Sequence, residues 1–423
     1  MSHSLGIIAD GFTGALMVAG YLEGAGIYCP VVFGPAAVVR GAPVIVGGTR
    51  TRTIPVTDAL FELGRMAEAF VSSGYERLAY KACASFDSTE AGNIGPAADY
   101  LADLQALRPV LMSAGFPRYG TTVHQGYLFY RGRLVSESIK RFDPLTPMSD
   151  PDLVRFLSLQ TPHRIGLIAH ATLRRGLPAA REAVEALTVE GHGHIFFDTT
   201  DDDDAEIAAQ LAVARPCIVA ASDPLIVAYA IRLAKGAAAM PVPPRHAEGP
   251  GAVIAGTVGP VILQQLSTFG AVYPVLTIDL LDPKGEEATI AAALDWATPL
   301  IGARPFAIST ATDQAGVERA QAALGPIAAA RRAEHLLGSI AAGLRDRGVR
   351  RLVVAGGETS GADISALGIT SVRAFPEGPL GTGFCAADGP RPLSLYLKPG
   401  KLGADDILLR ALEEMDTLVE ADS

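Results

Sequence analysis

Two stretches near the N-terminus place polar side chains directly after strand-like apolar runs. In IADGFTGA, Asp10 ends the apolar run, and in YKACASFDSTEAGNIGP, Lys81 ends another and is followed by Asp87, Ser88 and Asn93. A lysine can neutralise a carboxylate, and an aspartate can orient or deprotonate a sugar hydroxyl. These residue types are compatible with a site for a ligand that carries a carboxylate or a hydroxyl group. The alternatives are that Lys81 is a surface lysine and that Asp87 is a helix cap or part of an Asx turn.

The stretch TRTRTIP at 49–55 adds arginines to this candidate site. Arg50 and Arg52 occupy alternate positions of an extended segment, so they share one face. An exposed arginine is usually a solvated charge, but Arg52 could also pair with a ligand carboxylate.

A glycine turn late in the chain suggests a second kind of site. In RLVVAGGETSGADISALG, an apolar strand leads into Gly356 and Gly357, then Glu358, Thr359 and Ser360, and then a helical pattern. Backbone N–H groups at such a helix start are unpaired donors that favour anions, so the turn could cradle phosphate. It could equally be a simple turn with Thr359 or Ser360 as the N-cap. The lysine and glycine spacings of a Walker A loop or a dinucleotide fingerprint are missing.

Two further turns follow strand-like runs in the same half of the chain. LKPGKLGADD contains Gly400 and Gly403, and AGTVGP contains Thr257. Open α/β sheets bind ligands at the carboxyl ends of their strands, so three such turns together favour a nucleotide site.

The elements that must position these residues alternate between apolar runs and helical patterns. That alternation predicts an α/β fold with two domains, each an open, mainly parallel sheet with flanking helices. The domains are expected at 1–240 and 251–423, joined by a Pro- and Gly-rich linker at about 236–251. Two long helices are expected, one over about 313–347 and one over about 403–420. A further helix is expected to end near Gly74 and to bury one face, formed by Leu60, Leu63, Ala67, Phe70 and Val71.

Composition excludes several classes of protein. The chain has 423 residues, of which 49% are hydrophobic, and its net charge is −10, which argues against a general nucleic-acid binder. The 4 cysteines are far apart and form no C-x-x-C pair, so neither a disulfide framework nor a zinc site is expected. Without a leader pattern or a long apolar run, the sequence predicts a cytoplasmic protein with no membrane partner. A homodimer is one of the assembly states that the sequence allows.

Two other stretches contain residue types that bind metals. The aspartates of TTDDDDAEIA at 199–208 are expected to cap a helix rather than to bind a metal. His192 and His194 in HGH have no third ligand nearby, so a zinc site is not expected there. The sequence assigns no metal ligands.

Taken together, these motifs resemble the four-carbon acid-sugar kinases, and within them the 3-oxo-tetronate 4-kinase branch. The matching stretches span residues 6–411 and also include TTVHQGYLF, SESIKRFDPLTPMSD and LYLKPGKLGADDILLRAL. The resemblance implies a first domain that binds a small sugar acid and a second that binds ATP with Mg²⁺. It further implies transfer of the γ-phosphoryl group to a terminal hydroxyl. Asp10 would then act on that hydroxyl, Arg52 and Lys81 would hold the substrate carboxylate, and the glycine turns would hold the nucleotide phosphates.

The chain departs from the usual pattern of that family at several positions. Gly11, Leu16 and Met17 stand where relatives usually have acids or polar residues around FTGA, and Thr121 stands where an arginine is usual. A turn that is usually glycine-rich reads AASDP at 220–224. These departures leave open a second hypothesis, a relative with an altered substrate or without catalysis that binds a small carboxylate or a nucleotide. A dehydrogenase is disfavoured, because no G-x-G-x-x-G follows an early strand.

Overall fold

A computed structural model describes residues 4–143, 145–236, 244–256, 258–356, 364–387, 389–398 and 403–420. Contacts along the backbone divide the chain into two compact units, Met1–Pro241 and Val242–Ser423. Each unit is an α/β structure with its own strands and helices, and each is described separately below.

The first unit contains a parallel sheet and a small antiparallel one. Its strands in chain order are β1 (Leu5–Ala9), β2 (Pro30–Val32), β3 (Val44–Gly48), β4 (Arg77–Lys81), β5 (Val110–Ser113), β6 (Thr121–His124), β7 (Tyr127–Tyr130), β8 (Arg133–Leu134), β9 (Ile165–Ile168), β10 (His194–Phe197) and β11 (Val219–Ala221). The parallel strands lie in the order β2-β3-β1-β4-β11-β5-β10-β9. Strands β6 to β8 form the antiparallel sheet.

Helices connect the parallel strands of the first unit. They are α1 (Phe12–Gly24), α2 (Val56–Ser72), α3 (Ile94–Gln105), α4 (Leu153–Ser158), α5 (His170–Leu173), α6 (Leu177–Val189), α7 (Asp202–Val213) and α8 (Asp223–Leu233). Strands β1, β3 and β4 are buried along their whole length. Parallel strands covered on both faces read as continuous apolar runs, which is why LGIIA and its neighbours were recognisable in the sequence.

The second unit repeats this plan with a mixed sheet. Its strands are β12 (Gly251–Ala255), β13 (Val275–Thr277), β14 (Phe306–Ser309), β15 (Arg351–Ala355), β16 (Ser371–Ala374), β17 (Phe384–Ala387) and β18 (Leu393–Lys398). The order is β13-β14-β12-β15-β18-β17-β16, and only the pairs β18-β17 and β17-β16 of this described sheet are antiparallel. Its helices are α9 (Pro260–Gly270), α10 (Glu286–Ala297), α11 (Gln314–Leu324), α12 (Pro326–Asp346) and α13 (Ile407–Glu420).

Three helix predictions need correction. The helix expected over about 313–347 is two helices, because Gly325 adopts φ +84° and Pro326 starts α12 as a first-turn proline. The closing helix begins at Ile407 rather than near 403. Val71 is 49% exposed, so it does not belong to the buried face of α2, whereas Met66 does.

Among the residues that the structure describes, no helix is both long enough and apolar enough to cross a bilayer.

His246 gives the second unit a pH-dependent stability. Its ring stacks on Phe375 at 3.9 Å between centroids, and its Nδ1 lies 3.1 Å from the Ser394 hydroxyl oxygen. Burial, with a smaller contribution from Arg351, lowers the pKa of His246 to about 4. The unfolded chain takes up this proton near pH 6.5 and the folded chain does not, so stability present above pH 6.5 is lost as the pH falls towards 4.

We expect protonation of His246 to lower the free energy of unfolding of the second unit by about 1 to 2 kcal/mol between pH 7 and pH 4.5. This figure allows for solvent screening of a half-buried ring. Urea unfolding followed by fluorescence of Trp296, the single tryptophan of the chain, reports on this unit. His246→Phe keeps a stacking ring without a titrating group and should remove that part of the pH dependence. An unchanged pH dependence in the variant would contradict this role.

Candidate functional site in the first unit

The carboxyl ends of the central strands of the first unit carry a cluster of charged side chains. Asp10 follows β1, Arg52 follows β3, Lys81 ends β4 and Asp223 follows β11. These strands are neighbours in the parallel sheet, so their ends meet at one edge. The Asp10 N–H donates to the Lys81 carbonyl oxygen at 3.0 Å, which ties two of these ends together. This is the edge at which open α/β sheets bind ligands.

Asp10 and Arg52 form a two-pronged ion pair. Arg52 Nε donates to Asp10 Oδ2 and Nη2 donates to Oδ1, both at 2.9 Å, and the Cys83 N–H donates to Oδ2 at 3.1 Å. Burial raises the pKa of Asp10, but Arg52 and then Lys81 outweigh that effect, so the net pKa lies below its usual value. Burial by itself would lower the pKa of Arg52, but the attraction of Asp10 raises it by more. The net pKa of Arg52 therefore lies well above its usual value. Asp10 is therefore a carboxylate at neutral pH.

Lys81 is buried and paired. Its Nζ lies 3.2 Å from Asp223 Oδ2, and the two side chains are 4% and 2% exposed. Burial lowers the pKa of Lys81, but Asp223 first and Asp10 second raise it, and the net pKa is raised. The surface-lysine alternative is therefore wrong. The sequence predicts that Lys81 and Arg52 hold a substrate carboxylate. In the structure, each of these two cations already binds an aspartate of the protein.

A second ion pair lies on the other side of Cys83. Lys140 Nζ donates to both carboxylate oxygens of Asp87, at 2.7 and 2.9 Å, and the Ser85 hydroxyl donates to Oδ1 at 2.8 Å. The Lys140 ammonium also lies 5.7 Å from the centroid of the Tyr130 ring. Asp87 therefore holds the segment of residues 139–142 against the loop after β4. Asp87 thus forms an ion pair with a lysine; it does not act as the helix cap or the Asx turn that the sequence allowed.

Ser88 and Asn93 support the site through contacts with the protein. Asn93 Nδ2 donates to the carbonyl oxygens of Thr51 and Ile54 at 2.5 and 2.9 Å, which fixes the segment that carries Arg52. Ser88 accepts a hydrogen bond from Gln160 Nε2 at 3.0 Å. Both side chains are buried. Contact of either residue with a substrate stays a prediction.

The predicted nucleotide-binding turns belong to the second unit. The register pairs Ala255 of β12 with Ala355 of β15, and Ala355 with Lys398 of β18, so the three turns follow the ends of three adjacent strands. Gly356 donates its N–H to the Lys398 carbonyl oxygen at 3.0 Å and adopts φ +133°.

Lys398 and Gly403 are two further described residues at these turns. Burial lowers the pKa of Lys398 to about 8. Gly403 has φ +98°, and its carbonyl oxygen accepts from Gln265 Nε2 at 3.1 Å. The other predicted phosphate-binding residues lie outside the described residues; they are Thr257, Gly357, Glu358, Thr359 and Gly400.

The aspartate run behaves as the capping interpretation predicted. Asp201 is the N-cap of α7 and accepts from the Asp204 N–H at 3.1 Å, while Asp204 accepts from the Thr200 N–H and lies 2.9 Å from His170 Nδ1. The ligand atoms of His170, Asp201 and Asp204 are close enough to surround an ion; Asp204 pairs with His170, and Asp201 caps the helix. His194 is fully buried with its Nε2 2.9 Å from Asp99, which explains it without a metal.

Comparison with known proteins covers both units. Residues 5–229 match the family described as sugar-binding N-terminal domain, and residues 252–408 match nucleotide-binding C-terminal domain. The 3-oxo-tetronate kinase of Methylobacterium radiotolerans is 36% identical, over 98% of this chain and 100% of that protein. The enzyme of the same name from Burkholderia multivorans is 35% identical over 97% of each chain. The chain belongs to the four-carbon acid-sugar kinase family. The predicted family and the predicted enzyme class, a sugar-acid kinase, are therefore confirmed.

Solved structures agree with this family assignment. A Salmonella typhimurium LT2 protein, provisionally named a tRNA synthase, matches with a TM-score of 0.84 and 29% identity over 97% of this chain and 99% of its own. A Haemophilus influenzae protein matches with a TM-score of 0.77 and 26% identity, over 97% of this chain and 100% of its own. The prediction of a two-domain α/β fold is confirmed.

The sequence did not identify two charged residues of this acid-sugar kinase, Asp223 of the charged cluster and Lys140 of the second ion pair. Asp223 lies in the AASDP stretch, which was noticed only as a departure from the family. Lys140 lies in SESIKRFDPLTPMSD, where it is one of several charges in a polar segment. The available signal for Asp223 was an acid directly after a strand, the same signal that identified Asp10.

Proposed function

We propose that this protein is an ATP-dependent kinase that phosphorylates a terminal hydroxyl of a small four-carbon sugar acid such as 3-oxo-tetronate. The first unit binds the acid and the second binds ATP with Mg²⁺, in line with domains at 1–240 and 251–423. The observation that carries the proposal is the ionised Asp10, held by Arg52 and a backbone N–H at the ligand-binding edge of a sugar-binding domain. Relatives named 3-oxo-tetronate kinase support the choice of acid.

Asp10 acts on the acceptor hydroxyl mainly by orienting it. A carboxylate with a lowered pKa is a weak base, but phosphoryl transfer depends more on positioning and charge stabilisation than on early proton removal. Asp10 accepts a hydrogen bond from the hydroxyl and aligns its oxygen with the γ-phosphorus of ATP. As the new O–P bond forms, the bond from the γ-phosphorus to the ADP oxygen breaks, ADP leaves, and the hydroxyl proton passes to Asp10 and then to water. Arg52 keeps a third of its side chain exposed, and its Nη1 takes no part in the two bonds to Asp10. That group is suited to the substrate carboxylate.

The strand ends of the second unit suit nucleotide phosphates. Three glycine turns follow adjacent strands, and the buried Lys398 lies at the same edge. Mg²⁺ is generally held by phosphates, waters and only one or two carboxylates, so it would arrive with ATP and neutralise charge on the transferred group. Glu358, the acid of the GGETSG turn, stays a predicted nucleotide-binding residue and lies outside the described residues.

A second candidate function is a relative with an altered substrate or no catalysis. The observation that favours it is that Gly11, Leu16 and Met17 replace the acids and the polar residue usual beside Asp10, together with cations that are already paired. Such a protein would still bind ATP or a small carboxylate.

The test is release of ADP from Mg-ATP by the full chain with 3-oxo-tetronate and with related tetronates, and ³¹P NMR of the product. ADP release that depends on a tetronate, with phosphate on the terminal carbon, supports the proposal. Nucleotide binding without turnover on any of these acids favours the second candidate. No nucleotide binding contradicts both the kinase and the placement of ATP in the second unit.

The placement of ATP in the second unit can be tested with one glycine. We expect Gly356→Ala to weaken Mg-ATP binding roughly tenfold or more in calorimetric titration, because its φ of +133° is strained for alanine and its N–H bond to the Lys398 carbonyl oxygen ties this turn to the end of β18. Gly348→Ala is the matched control, since φ there is +106° in a turn before β15, where a Cβ would meet nothing. Equal ATP affinity of the two variants would contradict the cradle at Gly356.

A further inference from the structure

The Lys81 ammonium is enclosed by residues from two neighbouring strands and a helix. Its strand, β4, pairs in parallel with β11, which places Asp223 beside it at the same sheet edge. On the other side, the backbone of α1 comes so close that a Cβ on Gly14 would lie 2.8 Å from Lys81 Nζ. The ammonium therefore has little room to turn towards a ligand.

Asp223 is fixed at the start of α8. Ser222 is the N-cap of this helix, its hydroxyl donates to the Gly115 carbonyl oxygen at 2.6 Å, and Pro224 lies in the first turn. Asp223 Oδ2 meets Lys81, while Oδ1 is buried with no hydrogen-bond partner among the described residues. The charge of Asp223 is therefore compensated chiefly by Lys81.

Arg52, Asp10, Lys81 and Asp223 form a row of alternating charges. Arg52 binds Asp10, Asp10 attracts Lys81, and Lys81 binds Asp223, so two cations and two carboxylates balance. Within this row, Arg52 is the partly exposed cation and Lys81 is the buried one.

We propose that Asp223 is a positioning residue that holds the Lys81 ammonium in place, so that Lys81 balances the charge of Asp10 and does not bind the substrate carboxylate. The inference deepens the proposed function, since it assigns roles within the acid-sugar site. It leaves Arg52 as the residue of this row that meets the acid.

The charged and titratable groups around Lys81 set the expected pH behaviour. They are Asp223 on α8, Asp10 after β1, Cys83 after β4 and Arg52 after β3. Burial lowers the pKa of Lys81, and Asp223 is the largest influence that raises it. Without Asp223, a buried lysine is expected to have a pKa well below its usual value.

The experiment compares wild type, D223N and K81M/D223N by urea unfolding between pH 7 and pH 10, which needs no substrate. In D223N the folded chain should release the Lys81 proton at a lower pH than the unfolded chain does. The free energy of unfolding should therefore rise with pH between pH 7 and pH 10. In wild type the Lys81 pKa is raised, so this group adds no such rise. In K81M/D223N the rise should disappear. If D223N is unfolded at pH 7 while the double variant folds, the same conclusion holds.

Kinetics provide the second readout. In D223N, kcat should fall by up to about tenfold per pH unit above the lowered lysine pKa, while KM for the acid stays within about threefold of wild type. D223E restores the carboxylate and should return the wild-type pH profile. The inference is overturned if D223N shows the pH dependence of stability of wild type, or if its defect is a KM increase above tenfold with normal kcat. The unfolding measurement does not depend on turnover. A negative result in unfolding would therefore contradict the role of Asp223 without contradicting the kinase function.

Discussion

Asp10→Asn is expected to lower kcat by roughly 10²- to 10⁴-fold while leaving the Kd for Mg-ATP unchanged. The amide keeps the shape of the side chain but loses the charge that orients the acceptor hydroxyl and that binds Arg52 through two hydrogen bonds. ATP affinity should not change, because the predicted phosphate-binding turns belong to the second unit. Steady-state ADP release and calorimetric titration with Mg-ATP measure the two quantities.

The control for this prediction is Asp58→Asn, which removes an exposed carboxylate from the first turn of α2. It should behave as wild type in both assays. Turnover of Asp10→Asn within threefold of wild type, with the protein folded, would remove Asp10 from the reaction. A large loss of ATP affinity would instead indicate that Asp10 acts on the nucleotide.

Lys81→Met is expected to destabilise the first unit by about 3 to 5 kcal/mol, because it leaves the buried Asp223 carboxylate without its cation. A buried ion pair adds little net stability, but removal of one partner leaves an uncompensated charge in a poorly solvated place. Unfolding of the first unit in urea at pH 7, followed by circular dichroism, gives the difference. Adding Asp223→Asn to the variant should recover most of the loss.

Lys140→Met is the matched control, since it breaks a lysine–aspartate pair of the same kind at the same sheet edge. The Lys140 and Asp87 side chains are 21% and 12% exposed, compared with 4% and 2% for Lys81 and Asp223. Water can solvate Asp87 after the substitution, so the loss should be about 1 kcal/mol. Equal losses of unfolding free energy in Lys81→Met and Lys140→Met would contradict the explanation that burial of the aspartate determines the size of the loss.

The sequence was sufficient for the strands that carry the site residues Asp10 and Lys81. Parallel strands buried on both faces leave unbroken apolar runs, and Asp10 and Lys81 stand out because they end such runs. Helix boundaries were predicted less well, since α11 and α12 have compatible helical patterns and the boundary between them is set by two residues, Gly325 with its positive φ and Pro326 in the first turn of α12.

The partners of the site residues could not be predicted from the sequence. Lys81 meets Asp223 because β11 inserts between β4 and β5 in the sheet, an order that the sequence of strands does not reveal. Asp87 and Lys140 are 53 residues apart, and no sequence pattern relates the loop after β4 to the segment 139–142. Sequence patterns identify which side chains end strands, whereas the pairing of charges depends on which strands become neighbours.

The amide of Asn93 has a consequence for how this site could be altered. It holds two carbonyl groups of the segment between β3 and α2, on either side of Arg52, and so sets the length of that segment. An inserted residue there would break one of the two hydrogen bonds and move the guanidinium away from Asp10. Attempts to redesign the enzyme for longer acids should therefore preserve this loop's length and vary side chains elsewhere around the site.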